Sequence, residues 1–331
     1  MKHQNKIWLL RLILPFAYGR WCTGILMLLL FSLIFHFGED DSADTTSPLL
    51  FFSIILAYII PVFSYIVEQS SRALVELRPH LNLDEDQFYN VKLALTSRSG
   101  IRSGAIALAG VMGGLGHLAF MGNPPARVVT AMMSGGAVMV NILGTLLVWV
   151  VMSTVIVQLV RSARQYARLG ADSVRIELLN TRVLVPFARV AIISSLALLG
   201  ALALYPLMFF DQSISLYGSM PGLVATTIPM LIIFAMPIWP VHKRIAEAKE
   251  QELAVINRRI QVEMGNKAGD QIAVETLERV APLLNYRREI MRVSPWPFDA
   301  SAITRLGLYI VIVPLTWAGA ALIEILIELY I

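Results

Sequence analysis

The chain has 331 residues, 56% of them apolar and 15% charged, and its mean hydropathy is +0.67. That balance excludes an ordinary soluble globule, in which about a quarter of the residues carry charge. The single cysteine, Cys22, excludes an internal disulfide and a cysteine metal cluster, and the net charge of +4 is explained below by topology rather than by nucleic acid.

A helix crosses the hydrocarbon core with about 20 mainly apolar residues. Residues 1–20 bring Lys2, Lys6, Arg11 and Arg20 and no acid, and the first apolar stretch follows at 21–37. No small-x-small cleavage pattern follows it, so it reads as an uncleaved span rather than a signal peptide. The loop after it holds Glu39, Asp40, Asp41 and Asp44 and no base. A second span is expected at 49–67, then a basic segment at 68–102 in which residues 84–96 form a helix. Asp84, Glu85 and Asp86 suit its positive N-terminal end. Leu81, Phe88, Val91 and Leu95 recur at helical spacing.

The third stretch, 104–121, carries Gly104, Gly110, Gly113, Gly114 and Gly116, which lower its helix propensity. A re-entrant segment is the alternative to a span there. A fourth span at 132–160 runs into the basic extension 161–189. The fifth and sixth, 190–210 and 221–238, are joined by a loop without bases.

Residues 241–298 read as a helical hairpin. Glu247, Glu250 and Glu252 face Lys243, Arg244 and Lys249 at three- or four-residue spacing on the first arm. Residues 265–269 make the turn, and Asp270 caps the second arm. That arm carries Ile272, Leu277, Val280, Leu284 and Ile290 on one broad apolar face, with Pro282 bending it. The hairpin is either a simple connector or a contact surface for another subunit or a partner, with Leu253, Ile256, Leu277, Val280 and Leu284 as the contact. Pro295-Trp296-Pro297 closes it, and a final span occupies most of 299–331.

Cytoplasmic segments flanking spans are rich in Lys and Arg. With seven crossings, every Lys and Arg except Arg127 falls on one side. The expected fold is therefore an all-α polytopic membrane bundle of seven helices, N-terminus inside and C-terminus outside. The bundle takes in 1–240 and the final helix, with cytoplasmic extensions at 68–102 and 161–189. The bases on that side suit anionic lipid headgroups.

Motifs for catalysis are missing from the sequence: no phosphate-binding glycine loop, no dinucleotide fingerprint and no nucleophile elbow. The histidines His3, His36, His80, His117 and His242 are scattered. The expectation is a protein that is not an enzyme and holds no cofactor or metal. Ionisable residues inside a span mark function by default, and Glu324 and Glu328 in the last span stand out. They share a stripe with Gly307, Pro314, Ala318 and Ala321, small residues that mark helix contacts or cavity walls. Pro314, Trp317, Glu324 and Glu328 are the candidate ion path, and the plainer alternative is that both glutamates reach the outer headgroups. His117 shares a face with Gly110, Gly113 and Gly114. It reads as a packed histidine bonded to a backbone carbonyl, or else as a pH sensor.

The segments Val185-Pro186-Phe187-Ala188-Arg189, Pro240-Val241-His242-Lys243-Arg244-Ile245 and Trp296-Pro297-Phe298-Asp299 resemble stretches of bacterial membrane proteins, which implies a bacterial cytoplasmic membrane. In topology alone the layout is similar to the insect odorant and gustatory receptor channels, an analogy of architecture without shared motifs. It implies a homo-oligomer anchored by cytoplasmic helices, with the last span lining a pore. The leading expectation is a channel for small cations. The alternatives are a non-conducting scaffold or regulator acting through the hairpin on a cytoplasmic protein, and a secondary transporter.

Overall fold

Wherever the described residues are regular they are helical, a form in which a long apolar segment satisfies its own N–H and C=O groups within lipid. The computed structural model describes residues 7–36, 46–97, 100–123, 125–208, 216–265 and 274–297, together with Leu308. Its helices are α1 (Gly19–His36), α2 (Thr46–Leu77), α3 (Glu85–Thr96), α4 (Gly100–Phe120), α5 (Pro125–Ser134), α6 (Gly136–Arg168), α7 (Val185–Ala203), α8 (Leu216–Met264) and α9 (Val274–Arg292). Among the described residues no strand occurs, and an isolated β-bridge pairs Leu81 with Val174. Helices α2, α4, α6, α7 and α8 are long and apolar enough to cross a bilayer. The chain is thus a multi-pass membrane helix bundle. Helix α1 is apolar but shorter, and the expected span in 299–331 lies outside the described residues except for Leu308.

Helices α2, α6, α7 and α8 form the centre. Ile55, Ile59, Phe63 and Ile66 of α2 meet Val151, Val155 and Leu159 of α6, Leu198 and Ala201 of α7, and Ile233 of α8. Helix α1 lies against α2, where Gly24 seats on the Pro61 ring. Its other faces leave Trp21, Ile25, Leu29 and Leu33 exposed, as a helix facing hydrocarbon does. A Cβ at Gly19 would collide with the Leu14 carbonyl. Thr23 locks that turn by donating to the Gly19 carbonyl (2.6 Å) and accepting from the Leu14 amide (3.1 Å).

Most of the basic segments meet at one end of the bundle. The antiparallel bridge ties α2 to α6 through Asn82 N–H to Ser173 O (2.8 Å) and Arg175 N–H to His80 O (2.9 Å). Arg189 at the start of α7 donates to both oxygens of Glu76 on α2 (2.8 and 2.9 Å). Arg20 and Arg72 both pair with Glu68. Helix α3 carries a capping box, in which Asp84 accepts from the Gln87 amide and Gln87 answers to the Asp84 amide. The Gln158 side chain of α6 donates to Leu95 O at the end of α3 (2.9 Å). Residues 7–11 fold under this end, burying Ile7 and Leu9 completely. The opposite end is closed by rings, with Phe35 against Phe52, Phe52 against Phe51, and Phe51 against Tyr205.

Two boundaries differ from the hydropathy reading, and one doubtful stretch agrees with it. Helix α2 runs ten residues past Val67, because its polar continuation is held by Glu68, Glu76 and the Tyr166 hydroxyl, which donates to Ser70 O. The stretch 132–160 is not one helix: Gly135 and Gly136 both take positive φ (73° and 72°), a conformation favouring glycine, and divide α5 from α6. The glycine-rich third stretch is an unbroken helix, α4, rather than a re-entrant loop.

Candidate functional site

The glycines of α4 let its backbone press against α6. A Cβ at Gly110 would stand 2.7 Å from Val150 Cα, and one at Gly114 2.8 Å from Leu146 Cδ2. This is the small-xxx-small contact through which membrane helices approach closely. His117 lies one turn further on, buried, and its Nδ1 accepts from the Trp149 indole N–H at 2.9 Å. The two rings sit edge to face, 5.6 Å apart. That bond puts the ring proton on Nε2. The partner expected from sequence was a backbone carbonyl; on this nitrogen it is an indole 32 residues away.

Beside this seam lies a half-open cleft of about 270 Å³ walled by five helices. Met152, Ile156 and Val157 of α6 form its floor, Ile106 and Ala109 of α4 one rim, and Ala225 and Thr226 of α8 the other. Phe51 and Ile55 of α2, with Tyr205 after α7, close the end away from the basic segments. None of the lining residues is charged. Thr226 donates to Gly222 O (2.9 Å) and Trp149 donates to His117, while Ser153 and Tyr205 add two hydroxyls to an otherwise apolar lining. So largely apolar a lining favours hydrocarbon over water.

At the other end, α8 continues without a break through Pro221, Pro229, Pro237 and Pro240. Past Ile245, the last residue of α8 buried against the bundle, it runs on for about 29 Å to Met264. Helix α9 returns along it. Lys249 reaches across to donate to Met291 O (2.7 Å) and Val293 O (2.8 Å), placing a cation on the C-terminal carbonyls of α9. At the base His242 stacks on Trp296, ring centroids 3.9 Å apart, and its Nδ1–H donates to Pro295 O (3.1 Å).

The five residues expected to form one contact separate. Ile256 and Val280 are buried inside the hairpin at 2% and 4% exposure, Leu253 is half-buried, and Leu277 and Leu284 face outward at 51% and 46%. Helix α9 has two seams. Val280, Leu283 and Ile290 lie toward α8, whereas Val274, Leu277, Ala281 and Leu284 form a second, exposed row at three- and four-residue spacing that resumes at Met291 after Arg288. The third face carries Glu275, Glu278, Arg279 and Glu289. The ion-path candidates Pro314, Trp317, Glu324 and Glu328 lie outside the described residues. Among the described residues no group of three His, Cys, Asp or Glu could hold a metal ion.

No protein-family model, no curated protein and no solved structure matches the chain.

Proposed function

We propose that this is a non-conducting, non-enzymatic membrane protein that docks a cytoplasmic protein on its projecting hairpin. In this reading the chain crosses a bacterial cytoplasmic membrane seven times with its N-terminus inside, and the end that gathers the basic segments is cytoplasmic. The observation that carries it is the second apolar seam of α9, left uncovered after the first has packed on α8. A helix that spends one apolar row on its own hairpin and keeps another at heptad-like spacing is suited to receive a further helix. The cation-path reading depends on Glu324 and Glu328 and keeps only its sequence support. The cleft among the described spans carries no charged residue, which favours the docking reading.

The test is a photoreactive amino acid placed in living cells at Leu277, Leu284 or, as control, Glu289. Adducts from 277 and 284 but not from 289 support docking on the seam. Adducts whose mass is a multiple of 36.7 kDa mean that the seam joins copies of this chain. Absence of adducts at both seam positions removes the proposal, as does a cation current through purified protein in planar bilayers.

A further inference from the structure

The cleft between α4 and α8 has no part in the hairpin reading, and its chemistry names a ligand of its own. We infer that it seats one hydrocarbon chain of a membrane phospholipid, entering sideways from the leaflet opposite the basic segments. Three observations lead there.

The first is the match between volume and lining. About 270 Å³ is roughly nine water volumes at ~30 Å³ each, yet only Trp149, Ser153, Tyr205 and Thr226 bring side-chain N–H or O–H groups to the walls, and Trp149 and Thr226 already donate within them. Water filling it would find too few hydrogen-bond partners, since each buried water needs about two to four. A cavity of roughly 150 Å³ with similar walls already holds a small hydrocarbon. In a bilayer the abundant hydrocarbon is the lipid chain itself.

The second is shape. The floor runs along α6 from Val148 to Val157, about 14 Å along the helix axis, so the opening is a channel parallel to the spans rather than a round void. The third is access. Helices α4 and α8 form its rims with small side chains, Ala109 and Ala225, and barely touch each other. Both present lipid-exposed residues just outside the rim, Leu108 and Met112 on α4 and Val224 and Ile228 on α8. At the far end Tyr205 offers an apolar ring with a polar tip, a group that sits where chains meet headgroups.

Trp149 lines the cleft and supplies the readout. The other five tryptophans are replaced by Phe, and the protein is reconstituted in phosphatidylethanolamine–phosphatidylglycerol vesicles doped with a phospholipid brominated midway along one chain. Bromine quenches indole emission on contact. Trp149 is expected to be quenched, and the filling variants Ala109→Leu and Ala225→Leu are each expected to cut that quenching by half or more. Val224→Leu, on the bulk-lipid face, is expected to leave it unchanged. Ala225→Val serves if the larger changes impair folding, with the unfolding midpoint monitored for each. A parallel set uses a brominated free fatty acid in plain vesicles.

Quenching by the phospholipid, relieved by filling, supports the assignment. Quenching by the fatty acid alone overturns the phospholipid assignment. A Trp149 that no brominated chain quenches means that the chain closes the cleft itself, and overturns the site. Quenching unaltered by filling in folded variants also overturns it.

Discussion

Adding one methyl group at successive glycines of α4 tests how this helix is held. At Gly110 the new Cβ would lie 2.7 Å from Val150 Cα and 3.0 Å from the Trp149 carbonyl oxygen, both backbone atoms that move only if α4 and α6 separate. At Gly113 the obstacle is the Trp149 ring (2.7 Å), held by its bond to His117. At Gly114 the nearest atom is Leu146 Cδ2 (2.8 Å), the end of a side chain that rotates. At Gly104 and Gly116 there is open space among the described residues. Every Gly→Ala change gains up to about 1 kcal/mol of helix propensity, so this contribution cancels when the variants are compared. What remains is overpacking, about 1–3 kcal/mol where the neighbour cannot yield. Reversible unfolding in mixed detergent micelles should therefore rank Gly110→Ala least stable, then Gly113→Ala, then Gly114→Ala. Gly104→Ala and Gly116→Ala should match or exceed the parent. Equal stability of Gly110→Ala and Gly116→Ala would refute the close α4–α6 approach.

Trp149→Phe keeps the packing but removes the donor to His117, and should cost about 1 kcal/mol in the same unfolding assay; no loss would mean that the indole bond is not made. Lys249→Met strips a cation from the C-terminal carbonyls of α9, worth about 1 kcal/mol. Amide hydrogen exchange should quicken across 286–292, and unchanged protection there would count against that contact. Glu76→Gln breaks the ion pair with Arg189, whose partners are well exposed (38% and 45%), so its effect should stay under about 1 kcal/mol. That small effect should shrink in 1 M salt; a salt-independent loss of several kcal/mol would contradict a surface pair.

The apolar spans were legible because lipid demands a long apolar helix, and charge distribution announced which loops would gather. The helix after Asp84 was equally plain, since Asp84, Glu85 and Asp86 suit its positive N-terminal end. Other features depend on residues far apart in the chain. The glycines of α4 counted against a helix by propensity, yet in the fold they permit the contact with Trp149 and Val150 that keeps it continuous. The indole partner of His117 and the reach of Lys249 to α9 carry no local signal. Gly135 and Gly136 lay inside an apolar stretch, where hydropathy averages over a break that only their positive φ reveals. On α9 the apolar residues looked like one broad face. Their division into a row toward α8 and an exposed row is fixed by where α8 lies. The cleft arises from five helices together and has no sequence signature of its own.

The central claim is that this is a helix bundle threaded so that its basic end faces the cytoplasm. Native Cys22 is exposed, so Cys22→Ser provides the background for single cysteines at Asp41, Arg127, Ser213, Asp84, Arg168 and Asn266. An impermeant thiol reagent applied to intact cells should label positions 41, 127 and 213, and should reach 84, 168 and 266 only after the membrane is opened. Labelling of 84, 168 and 266 from outside, with 41, 127 and 213 protected, would contradict the account.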